Sequence, residues 1–206
     1  MTQVLEITEH QTVYTRIPEQ ASEVVRLRKS LYKRGYYRIE GVDGYELVQV
    51  KKSIIVTSLQ VKNPDNSWMT LMVDDPMHWY GMAELSRLAE PGKVLVAGLG
   101  MGLILDFLCH RSDIPEIEVV EIDPAIIDFI SSFLPQDPRI KIVRESFFTY
   151  LLNSDAKDFN TVIIDLWVLG ESSSLEHRDW VANSMIVSHS LAQAKYPWAK
   201  VLTWGM

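Results

Sequence analysis

Cysteine is nearly absent: Cys109 stands alone in 206 residues. The chain can therefore form no internal disulfide and offers no thiolate cluster for a metal, so a reducing, cytoplasmic setting is the expectation. Cations are the minority charge, with 20 Lys and Arg against 27 Asp and Glu for a net charge of -7. That balance argues against a protein built chiefly to neutralise phosphates, and a nucleic-acid partner is not expected. Long apolar runs are missing too. The longest uncharged apolar stretch, from Val94 to Leu105, falls short of the roughly 20 residues that cross a bilayer. The opening "MTQVLEITEH" has neither the basic region nor the apolar core of a targeting signal, so no membrane association is expected. The five histidines show no metal-ligand spacing, and no Gly-x-Ser-x-Gly supports a nucleophilic serine.

What is present is a change of pattern part-way along the chain. Residues 1–76 read as a small, mainly β unit. It runs through "TVYTRI", "GYYRIEGVDGYELVQV" with a "VDGY" turn, "KKSIIVTSLQV", "NPDNS" and "WMTLMVDD". One helix is expected inside it, in "SEVVRLRKSLYKR", where Val24, Leu27 and Leu31 share a helical face opposite Arg26, Lys29 and Lys33. The mixture of basic and aromatic residues in that stretch can suit nucleic acid, but a solvated basic face explains it as well.

Residues 77–206 read as a second unit of alternating helix and strand. After the helical "MHWYGMAELSRLAEPG" come "KVLVAGL", "IEVVEI", "IKIVRE" and "TVIIDLWV" at βα intervals. A last helix near "DWVANSMIVSHSLAQA" leads to a fifth strand in "AKVLTWGM". Nearly continuous apolar strands are what a parallel sheet covered on both faces requires, so the expected fold is a doubly wound α/β sheet. In "DPAIIDFISSFL", Asp123 is placed to cap a helix that has Pro124 at its first position.

The chemistry centres on "KVLVAGLGMGLILDFL". Gly98, Gly100 and Gly102 sit where a strand hands over to a helix, which means a sharp bend and a close approach by something else. A dinucleotide fingerprint would need glycine or alanine where Leu103 stands, and no Gly-Lys-Ser/Thr follows for a P-loop. A smaller adenosine-containing ligand fits better. At the end of the next strand Glu121 supplies a carboxylate that can accept both hydroxyls of a ribose. The alternative is a tight turn with a solvated Glu121.

Taken in order, "WYGMAEL", "VLVAGLGMG", "VEIDP", "DPRIKIV" and "NTVIIDL" resemble the class I S-adenosylmethionine-dependent methyltransferase superfamily, and within it the spermidine synthase (polyamine aminopropyltransferase) group. The resemblance implies a Rossmann-like sheet with S-adenosylmethionine, or its decarboxylated form, at Gly98, Gly100 and Gly102. It also implies that Glu121 holds the ribose, that Ser146 lies near the adenine, and that Asp165 faces the substrate as the candidate catalytic residue. Several positions depart from the group's pattern. Met101 stands where an acidic residue is usual, Ser146 and Phe147 replace an Asp-Ala or Asp-Gly pair, and Val168 replaces the amine-deprotonating aspartate. The chain also ends at its fifth strand, where the complete fold adds an antiparallel pair, so the fold is expected in a C-terminally abbreviated form.

Three functions stay open on this reading. Methyl transfer to a small molecule comes first, aminopropyl transfer from decarboxylated S-adenosylmethionine second, and adenosyl-ligand binding without turnover third. Asp165 is read equally well as a substrate-orienting carboxylate or as a turn cap. Trp167 could stack on a substrate or belong to the core, and His78 could act as a base beside an Asp75 that caps a helix. A last strand with an unpaired edge points to a homodimer.

Overall fold

The computed structural model describes residues 4–38, 47–155, 158–166 and 175–204. Two compact units divide between Glu84 and Leu85.

In the first unit the chain runs β1 (Val4–Ile7), α1 (Val13–Arg16), β2 (Gln20–Ala21), β3 (Val25–Tyr32), β4 (Gly35–Arg38), β5 (Leu47–Val50), β6 (Ile54–Lys62) and β7 (Trp68–Val73). The helix α2 (Pro76–Leu88) follows and carries the chain across the division. The strands form a three-stranded sheet in the order β1-β5-β4 and a four-stranded sheet in the order β2-β3-β6-β7. Ile7, Val48, Val50, Ile54 and Val56 make a small core, with Met77 and Tyr80 packed against it.

Two local expectations are corrected here. "SEVVRLRKSLYKR" is not a helix: residues 25–32 form β3, paired antiparallel along their length with β6. The deciding period is two, because Val25 and Leu27 are buried while Val24 and Leu31 of the supposed helical face are 46% and 60% exposed. On the other face of the strand the Arg26 guanidinium lies 4.1 Å from the centre of the Trp68 ring, and its Nε donates to Gln60 Oε1. "TVYTRI", expected as strand, instead holds the short helix α1. Thr12 and Thr15 cap it reciprocally, each side-chain oxygen accepting the other's backbone N–H. The β6-β7 hairpin forms as expected, with Asn66 in a left-handed conformation at its turn. The "VDGY" turn lies outside the described residues.

The second unit continues β8 (Lys93–Ala97), α3 (Leu103–Leu108), β9 (Ile117–Glu121), α4 (Pro124–Ile130), a 3-10 turn (Ser131–Phe133), β10 (Ile140–Arg144), α5 (Phe147–Asn153), β11 (Phe159–Ile164), α6 (Leu175–Lys195) and β12 (Lys200–Thr203). All five strands are parallel, in the order β10-β9-β8-β11-β12. This is a doubly wound, Rossmann-like α/β sheet. Leu95, Ala97, Val120, Val162 and Ile164 pack with Phe147, Tyr150 and Leu151 of α5 and with Ala192 of α6. The alternate residues Val94, Val96, Val119 and Ile163 are equally buried, so the sheet is covered on both faces. Asp123 caps α4 as expected, accepting the Ala125 N–H, with Pro124 at the first helical position.

The "DPRI" segment has a structural task. The Arg139 guanidinium donates to the carbonyls of Cys109, Arg111 and Ile114 and pairs with the Asp137 carboxylate at 2.6 Å, tying the end of α3 to the start of β10. No helix among the described residues is long and apolar enough to cross a membrane.

Candidate functional site

Strand order reverses at β8, which lies between β9 and β11. In open parallel sheets such a switch point opens a crevice beyond the carboxyl ends of the strands, and ligands bind there. The candidate residues from the sequence converge on that edge. Gly98 follows β8, Glu121 ends β9, Ser146 follows β10 and Asp165 follows β11.

Glu121 is the best-defined of them. Its Oε2 accepts the backbone N–H of Leu99 at 2.9 Å and its Oε1 accepts that of Asp123 at 2.9 Å. Leu99 lies inside the glycine turn, so the carboxylate binds this turn to the entry of α4. The side chain is neither solvated nor idle: the residue is only 8% exposed. A carboxylate has room for about four hydrogen bonds, so two amides leave acceptor capacity for hydroxyl donors at the crevice. The next residue, Ile122, is 66% exposed and offers an apolar surface at the same strand end.

The three glycines of the turn are all left-handed, with φ of 92° at Gly98, 49° at Gly100 and 67° at Gly102. A Cβ on Gly98 would lie 2.2 Å from the Asp165 carbonyl oxygen, and one on Gly102 would lie 2.4 Å from Leu134 Cδ2. This refines the expectation that glycines are needed to admit an occupant. At Gly98 a backbone carbonyl of the protein itself demands glycine, and at Gly102 the left-handed backbone does, so the turn is shaped before any ligand arrives. Between them Met101 is fully buried, so the position where the resemblance leads one to look for a carboxylate carries a core side chain.

Ser146 stands at the N-cap of α5 with extended backbone, and its side chain makes no cap bond. The neighbouring Glu145 N–H donates to the Glu121 carbonyl at 3.0 Å, which holds this turn beside the end of β9. The Asp165 backbone N–H donates to the Ala97 carbonyl at 2.9 Å, fixing the exit of β11 against the entry to the glycine turn. Trp167 and Val168 lie outside the described residues.

The acidic pair before α2 divides between two structural roles in the first unit. Asp75 caps the helix, accepting the N–H groups of Met77 and His78, and its Oδ2 lies 3.2 Å from His78 Nδ1. Asp74 is fully buried and accepts the Thr12 hydroxyl and the Thr57 N–H. Burial pushes its carboxyl above the usual range, against the pull of those bonds and of His10 and Lys29. Among the described residues no cluster of three or more His, Cys, Asp or Glu could hold a metal.

Sequence reasoning missed the amide brace on Glu121 and the Arg139 clasp. The first had a faint signal, since Glu121 stands two residues before a capping Asp-Pro pair and a turn there must place its amides somewhere. The second had none, because its acceptors are carbonyls 25 to 30 positions away.

The sequence profile described as "Spermine/spermidine synthase domain" matches residues 77–188, more than half of the 206. The chain belongs to this family. Among curated relatives, spermidine synthase 2 of Arabidopsis thaliana is 29% identical over 87 residues, covering 39% of this chain and 26% of the relative. Putrescine N-methyltransferase 2 of Nicotiana attenuata is likewise 29% identical over 87 residues, covering 39% and 24%. The matched segment thus spans about a quarter of the length of these relatives. A solved spermidine synthase in complex with the transition-state analogue AdoDATO is 18% identical, with a TM-score of 0.48 over 89% of this chain and 54% of that one.

Proposed function

We propose that the second unit is a polyamine aminopropyltransferase-type domain that binds decarboxylated S-adenosylmethionine and transfers its aminopropyl group to a small amine. Membership of the spermine/spermidine synthase family supports this reading over methyl transfer, which the sequence had placed first. The observation that carries it is the Glu121 carboxylate, held by the Leu99 and Asp123 amides beside three left-handed glycines at the switch point.

The residues fit an adenosyl ligand. The free acceptor capacity of Glu121 matches two ribose hydroxyls, Ile122 gives the adenine an apolar neighbour, and the Ser146 hydroxyl lies on the same edge. The bound ligand would supply an electrophilic carbon next to a positively charged sulfur. The chain's own contribution is positioning: Glu121 and the glycine turn fix the nucleoside, and Asp165 attracts the cationic amine to the β11 side of the crevice. Alignment of this kind can supply several kcal/mol of the barrier. A second copy pairing at β12, an outer strand of the sheet among the described residues, completes the proposal, and light scattering showing only monomer would remove it.

Calorimetric titration with methylthioadenosine, S-adenosylmethionine and its decarboxylated form, followed by product analysis with putrescine, tests the reading. Binding of the decarboxylated form with appearance of methylthioadenosine is the expected result. A methylated amine formed from S-adenosylmethionine would favour the second reading, methyl transfer, which the match to putrescine N-methyltransferase supports. Binding without either product would leave a non-catalytic adenosyl-binding protein. Failure to bind any of the three sinks the proposal.

A further inference from the structure

On α6 the buried residues Val181, Met185, Ser188 and Ala192 recur at helical spacing and form the stripe that faces the core. His189 lies one position off that stripe and is only partly buried. Its Nδ1 is 3.0 Å from the Oγ1 of Thr203, the last residue of β12. Thr203 in turn pairs in register with Ile164, the last residue of β11, and the Trp204 N–H donates to the Ile164 carbonyl at 2.9 Å. The imidazole is therefore anchored at the carboxyl edge of the sheet, beside the strand that leads into Asp165. Adjacent strands are about 4.8 Å apart, so Thr203 stands one such step from the end of β11.

The order of these groups along the edge matters. Glu121 ends β9, the glycine turn ends β8, Asp165 follows β11 and Thr203 ends β12, with β9, β8, β11 and β12 neighbours in that sequence. A nucleoside held at β9 and β8 leaves the β11 and β12 ends to whatever reacts with it. Glu121, tied to two amides at the end of β9, stands on the nucleoside side of that order, with β8 and β11 between it and β12.

We propose that His189, oriented by Thr203, is the proton acceptor for the amine at this site; the inference rests on the transferase reading above. With Nδ1–H donating to Thr203 Oγ1, Nε2 carries the free lone pair. The amine nitrogen forms a bond to the carbon attached to the sulfonium while the carbon–sulfur bond breaks, and that electron pair remains on sulfur as a neutral thioether. The cationic amine has no lone pair until it gives up a proton, so that proton passes to Nε2 before or during the attack, and partial exposure lets the imidazolium return it to water; the product nitrogen keeps its remaining protons as an ammonium. A purely structural His189 would only pin α6 to β12.

The test uses the full chain with its histidine rings labelled for NMR, the His189 signals being identified by their loss in His189→Gln. Putrescine is titrated into protein saturated with methylthioadenosine, and turnover with decarboxylated S-adenosylmethionine is measured in parallel. The expected result is a saturable shift of the His189 signals. His189→Gln should lower turnover by roughly 10²- to 10⁴-fold, as for loss of a general base, with methylthioadenosine affinity unchanged. Thr203→Val keeps the shape and removes the acceptor, so it should give a smaller loss of rate at equal affinity. If His189→Gln folds poorly, the shift in the unaltered protein, assigned through Thr203→Val, still decides. Methylthioadenosine binding without a putrescine-dependent shift, or full turnover in a folded His189→Gln, overturns the role of His189 alone. Absence of methylthioadenosine binding overturns the transferase reading and this inference with it.

Discussion

Glu121 and Leu99 are joined by a 2.9 Å hydrogen bond from a backbone amide inside the glycine turn to a nearly buried carboxylate oxygen. The bond spans two neighbouring strands and makes the ribose-binding candidate a structural brace as well. Glu121→Gln keeps the size but sets an NH₂ group against one of two amide donors. Stability of the second unit should fall by about 1 to 3 kcal/mol, the usual cost of leaving a buried donor unsatisfied. Affinity for methylthioadenosine should fall by roughly 10- to 150-fold through the lost charge and acceptor. Thermal unfolding and calorimetry on the same preparations separate the two effects. Unchanged affinity in a folded variant would confine Glu121 to bracing.

Gly98 and the Asp165 carbonyl set a second constraint. A methyl group at residue 98 would sit 2.2 Å from that oxygen, and φ is 92° there. Gly98→Ala should therefore destabilise the second unit by more than the roughly 1 to 3 kcal/mol that backbone strain alone costs. Because β8 and β11 would be pushed apart at their carboxyl ends, ligand binding should be lost together with stability. Denaturant unfolding checks this, and a variant as stable as the unaltered chain would show that the two strands part easily.

The five strands of the second unit and the cap of α4 were legible because each carries a strong local signal: continuous β-branched runs for a doubly covered sheet, and Asp-Pro at a helix start. The carboxyl-edge cluster followed from topology once the strands were placed. The first unit was harder to read. The segment leading into and through β3 carries a helix-like spacing in Val24, Leu27 and Leu31 that only the long partner β6 overrides, and α1 is a single turn whose identity rests on two threonines. What stayed invisible was long-range and used backbone acceptors or single hydroxyls. Arg139 reaches three carbonyls, and His189 reaches Thr203 fourteen positions on. Neither partner set has a periodic signature.

Arg139 yields a prediction with an acid signature. Its planar fork serves several carbonyls and Asp137 together, which a lysine's single ammonium cannot reproduce. Arg139→Lys should lower the melting temperature by several degrees while leaving Glu121, and hence ligand affinity, little affected. The hydrogen bonds and charge of Arg139 hold the Asp137 carboxyl well below the usual carboxylate range. The pair's contribution is thus complete above about pH 4, the ordinary carboxylate value, and is lost as pH falls towards the depressed one. In Arg139→Lys that acid dependence should shrink. A variant with an unaltered melting profile between pH 3 and 7 would show that the clasp is redundant.

Asp74 predicts the opposite sign in the first unit. Burial raises its folded-state pKa, so its protonated form favours folding. That contribution is fully present below about pH 3.9, the ordinary value for aspartate, and is lost as pH rises through the raised one. Asn has the same shape and stays neutral: its Oδ1 can accept the Thr57 N–H and its Nδ2 can donate to the Thr12 hydroxyl. Asp74→Asn should therefore leave stability at pH 7 unchanged within about 1 kcal/mol, or raise it, because a desolvated charge is removed while the Thr57 bond is kept and the Thr12 bond is remade with its donor reversed. It should also flatten the pH dependence above pH 4. Asp74→Ala, by contrast, strands a buried amide and a hydroxyl and should cost about 1 to 3 kcal/mol for each group left unpaired. Denaturant melts of the three proteins at pH 4.5 and 7 give the comparison. If Asp74→Asn proved as damaging at pH 7 as Asp74→Ala, the negative charge itself would be required. The nearby Lys29, whose ammonium donates to the Tyr14 carbonyl and the Thr57 hydroxyl, would then be the partner that makes an ionised Asp74 worth burying.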